Sequence, residues 1–283
     1  MLRASYLGVF VTFAKNSLVR DMTFRTNFII ECISSLSWIA MNLGFYLLVF
    51  AHVSMIGPET GWGRWEFFVF LATTWIVNAL VEMLFMNNCE EFSELIRTGR
   101  LDFALLKPID TQFLVSLQRI EWSAIPNLIA GLSLLSISLW QLTTRAVDPI
   151  ALTPAVFLLY PLYIMCGVTI LYSLMISLAA TSIWLGRNQS LYDFWFYITN
   201  FSRYPMEIYS GSFGLPLQVA FTYILPVMLV INVPARVLAQ PLGYNDAMTW
   251  RLGLLAPVAA AISLFLSRKV FALALKSYRS ASS

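Results

Sequence analysis

Long apolar runs broken by short polar stretches make up this sequence. Residues 27–51 carry no charge except Glu31, and further apolar runs follow at 65–86, 113–140, 154–185, 191–209 and 247–267. An α-helix needs roughly 20 apolar residues to cross a bilayer core. The pattern therefore predicts an all-α integral membrane protein with six transmembrane helices. Residues 1–25 read differently. Leu2, Tyr6, Val9, Phe10 and Phe13 share an approximately helical face, while Lys15, Asn16, Arg20, Asp21 and Arg25 gather later. This is the pattern of an interfacial helix, in preference to a loose tail. Arg3 ahead of an apolar stretch imitates a secretory leader, but Lys15 follows and no A-x-A-like site appears, so the segment is expected to be retained.

The stretch 186–246 is less regular. Arg203, Tyr204-Pro205, Glu207, Gly211 and Gly214 interrupt it, and the apolar run 215–239 contains Pro216, Pro226 and Pro234. Counting that run as another span would put the basic tail on the opposite side from the other basic loops. Proline removes backbone donors, and irregular backbone at membrane depth is tolerated where protein or a wet cavity surrounds it. Residues 213–239 are therefore expected to form a re-entrant helical segment before the last span, entering from outside. The alternative has 215–239 crossing and 191–209 lying on the cytoplasmic surface.

Composition sharpens the class. Of 283 residues, 59% are hydrophobic and 12% charged, against about 25% charged in soluble domains. A net charge of +3 is too small to imply nucleic acid. What matters is where the basic residues lie. With a cytoplasmic N-terminus, Arg3, Lys15, Arg20, Arg25, Arg97, Arg100, Lys107, Arg187, Arg268, Lys269, Lys276 and Arg279 all lie inside, with Arg64 and Arg145 outside. That is the positive-inside arrangement and places both termini in the cytoplasm. The cysteines Cys32, Cys89 and Cys166 fall singly, without disulfide or metal-ligand spacing. His52 is the lone histidine. No protease, hydrolase or nucleotide-binding motif is present, so catalytic and metal residues are expected to be none.

One polar stretch interrupts the first half, NNCEEFSELIRTGRLDFALLKPIDT at 87–111. Asn87 or Asn88 can cap a short helix, with Glu90, Glu91 and Glu94 near its positive end, and Arg97 and Arg100 flanking Gly99 at the other. Phe92, Leu95 and Ile96 share one face. Lys107-Pro108 stops the segment, and Asp110 or Thr111 caps the next helix. A solvated loop and a docking element both fit this pattern. Glu82, Arg119 and Glu121 are intramembrane charges that are expected to pair with one another, to snorkel or to face a polar cavity.

Ile96–Phe113 carries Gly99, Leu101, Asp102, Leu105, Lys107 and Pro108 in the order G-x-[LF]-[DE]-x-x-L-x-[KR]-P. Together with the surface helix, the six spans and the proline-rich segment, it resembles the permease subunits of ABC-2 type ABC transporters, the exporter-like class. Tyr204, Pro205 and Tyr209, followed by Pro226 and Pro234, are similar to that family's P-x-x-Y … NP region, with Asn232-Val233-Pro234 in place of a direct Asn-Pro. The resemblance implies a permease subunit of an ATP-driven exporter in the bacterial cytoplasmic (inner) membrane. A second permease copy, identical or paralogous, would complete the pathway, surrounded by membrane lipid. Separate ABC ATPase subunits would carry ATP and Mg, leaving no cofactor on this chain. Glu90, Glu91, Phe92, Glu94, Leu95, Ile96 and Arg97 would meet the ATPase, and the residues from Gly99 to Pro108 would anchor that contact. Tyr204, Pro205, Tyr209, Pro226 and Pro234 would form an outer gate. The alternative is an ion-coupled carrier or channel using Glu31, Glu82 or Glu121.

Overall fold

The structure, a computed structural model, describes residues 5–57, 61–146, 149–186, 189–209, 211–240 and 247–278. Leu2, Arg3, Arg187 and Arg279, which entered the amphipathic and charge patterns above, lie outside the described residues. Among the described residues every regular element is helical.

Helix α1 (Tyr6–Thr23) is separated from α2 (Arg25–His52) by the non-helical Phe24. Helix α3 (Arg64–Val81) runs through a π-helical turn, Glu82–Met86, into α4 (Asn87–Glu90) and α5 (Phe92–Arg97). Together they make one apolar rod, Arg64–Arg97. At 1.5 Å per residue it is roughly 50 Å long, against a bilayer core of about 30 Å, so one end must project. Two short helices follow, α6 (Arg100–Leu105) and α7 (Thr111–Leu117). Next come α8 (Ile125–Thr144), α9 (Pro154–Ala180) with its short extension α10 (Ser182–Leu185), and α11 (Gln189–Asn200). Helices α12 (Leu215–Val219), α13 (Val227–Ala239) and α14 (Ala247–Ser277) complete the chain.

Among the described residues five stretches are long and apolar enough to cross a membrane: Arg25–His52, Arg64–Arg97, Trp122–Thr144, Pro154–Leu185 and Trp250–Ser277. With their composition they make this a multi-pass, all-α membrane protein. A sixth candidate is the pair Leu215–Ile224 and Val227–Ala239, bent by 90°.

Three boundaries differ from the apolar pattern, each for a physical reason. The run 113–140 is cut in two, because α7 ends at Leu117 and the crossing helix starts at Trp122. Arg119 and Glu121 lie in the break, where the Glu121 amide donates to the Met83 carbonyl at 2.9 Å. The run 191–209 is not one continuous span. Its helix α11 has 12 residues, about 18 Å of rise, and two 3-10 turns, Phe201–Arg203 and Met206–Tyr209, continue it. Helix α14 extends beyond 267 to Ser277 because Phe271 and Ala274 keep its apolar side buried.

Helix α13 is the centre of the molecule, with every residue from Val227 to Ala239 buried among α3, α9 and α14. It runs opposite to α9 and α14. Its Arg236 shares a small pocket with Tyr163, Trp250 and Gly253, whereas Pro226 lies among Ser173, Ser177, Ser263 and Ser267. The 90° bend at Pro226 therefore lies partway along the bundle, and α13 runs from it toward the end that holds Arg64 and Trp250. At the opposite end, Tyr6 packs edge-on against Phe113 (4.9 Å), the Ile120 amide donates to Ser17 Oγ (3.0 Å), and Arg268 meets Asp110. Helix α1, the 87–111 segment and the end of α14 thus gather together.

Candidate functional site

The gathered end is built on the projecting part of the Arg64–Arg97 rod. Asn88 is buried and fastens it to the break before α8, donating to the Arg119 carbonyl (2.7 Å) and accepting from the Arg119 amide (3.0 Å). The Arg119 guanidinium pairs with Glu91 at 2.5 Å and with Glu121 at 3.5 Å, and Asn87 donates to the Glu121 carboxylate. Two of the three charges singled out in the apolar runs, Arg119 and Glu121, are thus brought together. Glu82 is held apart from them and accepts from Asn127 at 3.4 Å.

Helix α5 follows the π-helical turn of the rod, and its apolar stripe faces the bundle. Phe92 is fully buried with its ring 5.7 Å from that of Phe271, Leu95 is buried, and Ile96 is half-buried against the same core. These three side chains do not face outward as the docking reading expects. Glu90 and Arg97 do, and Arg97 is tied to Glu94 at 2.6 Å. Gly99, at φ 69°, turns the chain in the left-handed region that favours glycine. Beyond it α6 lies outside the rod. Leu101 is buried, Asp102 half-buried, and Phe103, Leu105, Leu106, Lys107 and Pro108 are exposed. Phe103 and Leu106 show 70% and 81% of their surface, so the outward apolar knob is here.

Asp110 closes the segment. Its carboxylate accepts from the Phe113 amide (2.8 Å), capping α7, and takes a two-pronged bond from Arg268 at 3.0 and 2.8 Å. Burial pushes the Asp110 carboxyl up, but the Arg268 hydrogen bonds, the Phe113 amide and the Arg268 charge outweigh it and hold it below the usual carboxylate range.

Of the residues singled out for an outer gate, Tyr204, Pro205 and Tyr209 lie near the other end beside α13, while Pro226 caps the deep start of α13 and Pro234 lies within it. Pro205 is buried and Tyr204 exposed, and the Met206 amide beside them donates to Asn232 Oδ1 at 2.8 Å. Tyr209 packs on Phe201 (5.9 Å), which stacks on Phe221 (4.2 Å) in the limb leading to Pro226. Pro234 lies within α13, two residues from Asn232. Glu207 pairs with Arg236 and accepts from Trp62 Nε1 at 3.0 Å.

The sequence profile of the ABC-2 family transporter proteins matches residues 36–282 of this chain. The chain belongs to that family. No curated protein and no solved structure matches it. As an ABC-2 family member it is the membrane component of an ABC transporter, and membership implies association with ABC ATPase subunits.

Sequence reasoning missed two features of this ABC-2 protein. Arg236 stands in a long apolar run, and a buried arginine needs a countercharge, a signal that asks for a carboxylate without saying which one. The second is Arg203, which shares a cleft with Glu82. Nothing in a linear pattern brings Arg203 to the cleft beside α3.

Proposed function

We propose that this chain is the permease subunit of an ATP-driven exporter, working as a dimer with an identical or paralogous copy in the bacterial inner membrane. ATP and Mg belong to separate ATPase subunits, which dock on the 87–111 segment at the cytoplasmic face. The observation that carries this reading is the exposed pair Phe103 and Leu106, presented past a left-handed glycine on the projecting end of a long rod. Apolar anchors with charges at their rim are the usual make-up of a binding hot spot. Here Arg97, Arg100 and Lys107 supply the rim.

The anchorage explains how a push could travel. Helix α6 is joined to the rod by the Thr98–Gly99 turn, Phe92 touches α14 through Phe271, and Asp110 grips α14 through Arg268. Both the rod and α14 pack on α13. Movement of the docked knob would thus reach the outer-gate helix through two rigid neighbours. The carboxylates available to an ion-coupled carrier are largely engaged: Glu31 accepts from Asn27 (2.7 Å), and Glu121 is tied to Asn87, Arg119 and Ser123.

The test is co-purification of the chain with its genomic-neighbour ATPase from bacterial membranes. ATPase recovered with the wild-type chain and lost with Phe103→Asp/Leu106→Asp supports the reading. Nucleotide-free transport driven by an ion gradient alone would overturn it.

A further inference from the structure

A cleft of about 220 Å³ opens between α2, α3 and α11 near the middle of the rod. Its walls include Trp38, Trp75 and Phe196, and its polar groups include Glu82, Asn127 and Arg203. Among the described residues neither Glu82 nor Arg203 forms an ion pair. Glu82 accepts a long hydrogen bond from Asn127 at 3.4 Å. Arg203 lies over the Phe196 ring at 5.2 Å. A charge at membrane depth without a countercharge is costly and marks a functional site by default. This cleft holds one of each sign.

We infer that the cleft binds the headgroup of a zwitterionic amphiphile, with an ammonium group at Glu82 and an anionic group at Arg203. A singly charged ligand would satisfy one of the two residues and leave the other unpaired. Trp38 and Trp75 add aromatic faces that attract an ammonium group. The volume lies below the roughly 300–1,000 Å³ of sites that enclose a whole drug-sized ligand, so the cleft accommodates a headgroup and not the tail. Trp38 is 59% exposed on α2, whose surrounding surface is largely apolar and open, and the tail would run along it. The inference rests on the transport reading for its purpose, yet binding requires no ATPase, so the two can fail separately.

The experiment is native mass spectrometry of the full chain in nonionic maltoside micelles. Phosphatidylethanolamine, phosphatidylglycerol and a trimethylammonium lipid with the same acyl chains are added in turn. Phosphatidylethanolamine should form one saturable adduct at about tenfold lower concentration than either singly charged lipid, the size expected for one charge-assisted hydrogen bond. Glu82→Gln and Arg203→Gln should each abolish that preference. Equal binding of all three lipids overturns the inference, as does a preference that survives both substitutions. Tail-free glycerophosphoethanolamine that competes at equal concentration would overturn the amphiphile assignment in favour of a soluble zwitterion. The headgroup comparison in the wild-type chain needs no variant and decides where a substitution unfolds the protein.

Discussion

Phe92 lies with its ring 5.7 Å from that of Phe271, joining the segment after the second crossing helix to the last helix of the chain. That contact makes Phe92 a core residue. Phe92→Ala removes a fully buried ring and should cost about 3–5 kcal/mol of stability. Phe103→Ala, on the exposed side of α6, should leave stability within about 0.5 kcal/mol of wild type. Melting of the two variants in detergent separates them, and equal melting points would mean that α5 does not carry the bundle.

Partner binding should show the reverse order. Truncating an interface anchor typically costs about 2 kcal/mol or more, so Phe103→Ala and Leu106→Ala should each weaken ATPase binding by roughly tenfold or more. Arg97→Ala, at the rim, should change it by less, because exposed charges contribute about 0–1 kcal/mol. Binding curves for the isolated ATPase, measured on the chain in nanodiscs, would check the ranking. A larger loss at Arg97 than at Phe103 would move the contact off α6.

These two predictions turn on a distinction that the sequence holds only in part. Spacing at i, i+3 and i+4 puts Phe92, Leu95 and Ile96 on one face but does not say whether the face looks in or out. The direction is set by tertiary packing against the bundle, since the π-helical turn at Glu82–Met86 and the turn at Glu91 shift the helical phase between α3 and α5. Gly99 and Lys107-Pro108 were legible as stops, and Asp110 or Thr111 as a cap, since those effects act within one turn of chain. The break at 118–121 was hidden because its partners, Asn88 and Met83, come from another helix. Glu207 and Arg236 were unpaired in the sequence for the same reason. Local chemistry was readable, and contacts between distant helices were not.

The Asp110–Arg268 clamp gives a pH dependence with a definite sign. The folded-state carboxyl lies below its usual range. Its contribution is therefore fully present above the unfolded value of about 4, and it is lost as pH falls through the lower folded value. Arg268 is half exposed, so solvent screening limits the contribution to about 1 kcal/mol or less. Asp110→Asn keeps a good helix cap but removes the charge. Wild type should melt higher than Asp110→Asn at neutral pH, and the two should converge as the pH drops below about 4. A gap that stays constant through that range would show that the charge of Asp110 contributes nothing.

Gly167 on α9 lies in close contact with α13. A Cβ there would stand 2.8 Å from the Val230 carbonyl oxygen and 3.3 Å from its Cα, both backbone atoms that cannot swing aside. The carbonyl is special for a second reason. Pro234 follows it by four residues in α13 and has no N–H, so the Val230 oxygen lacks its regular helical donor. Glycine lets α9 close over that point with only Cα hydrogens, which can offer a weak contact to the oxygen. Gly167→Ala should therefore force α9 and α13 apart and cost about 1–3 kcal/mol, the usual price of overpacking, even though alanine is the better helix former by about 1 kcal/mol. Pairing it with Pro234→Ala separates the two causes. Restoring the N–H at 234 should satisfy Val230 internally but leave the steric clash, so the double variant should remain less stable than Pro234→Ala alone. A Gly167→Ala chain that melts at or above wild type would show that α9 and α13 are not packed at this contact.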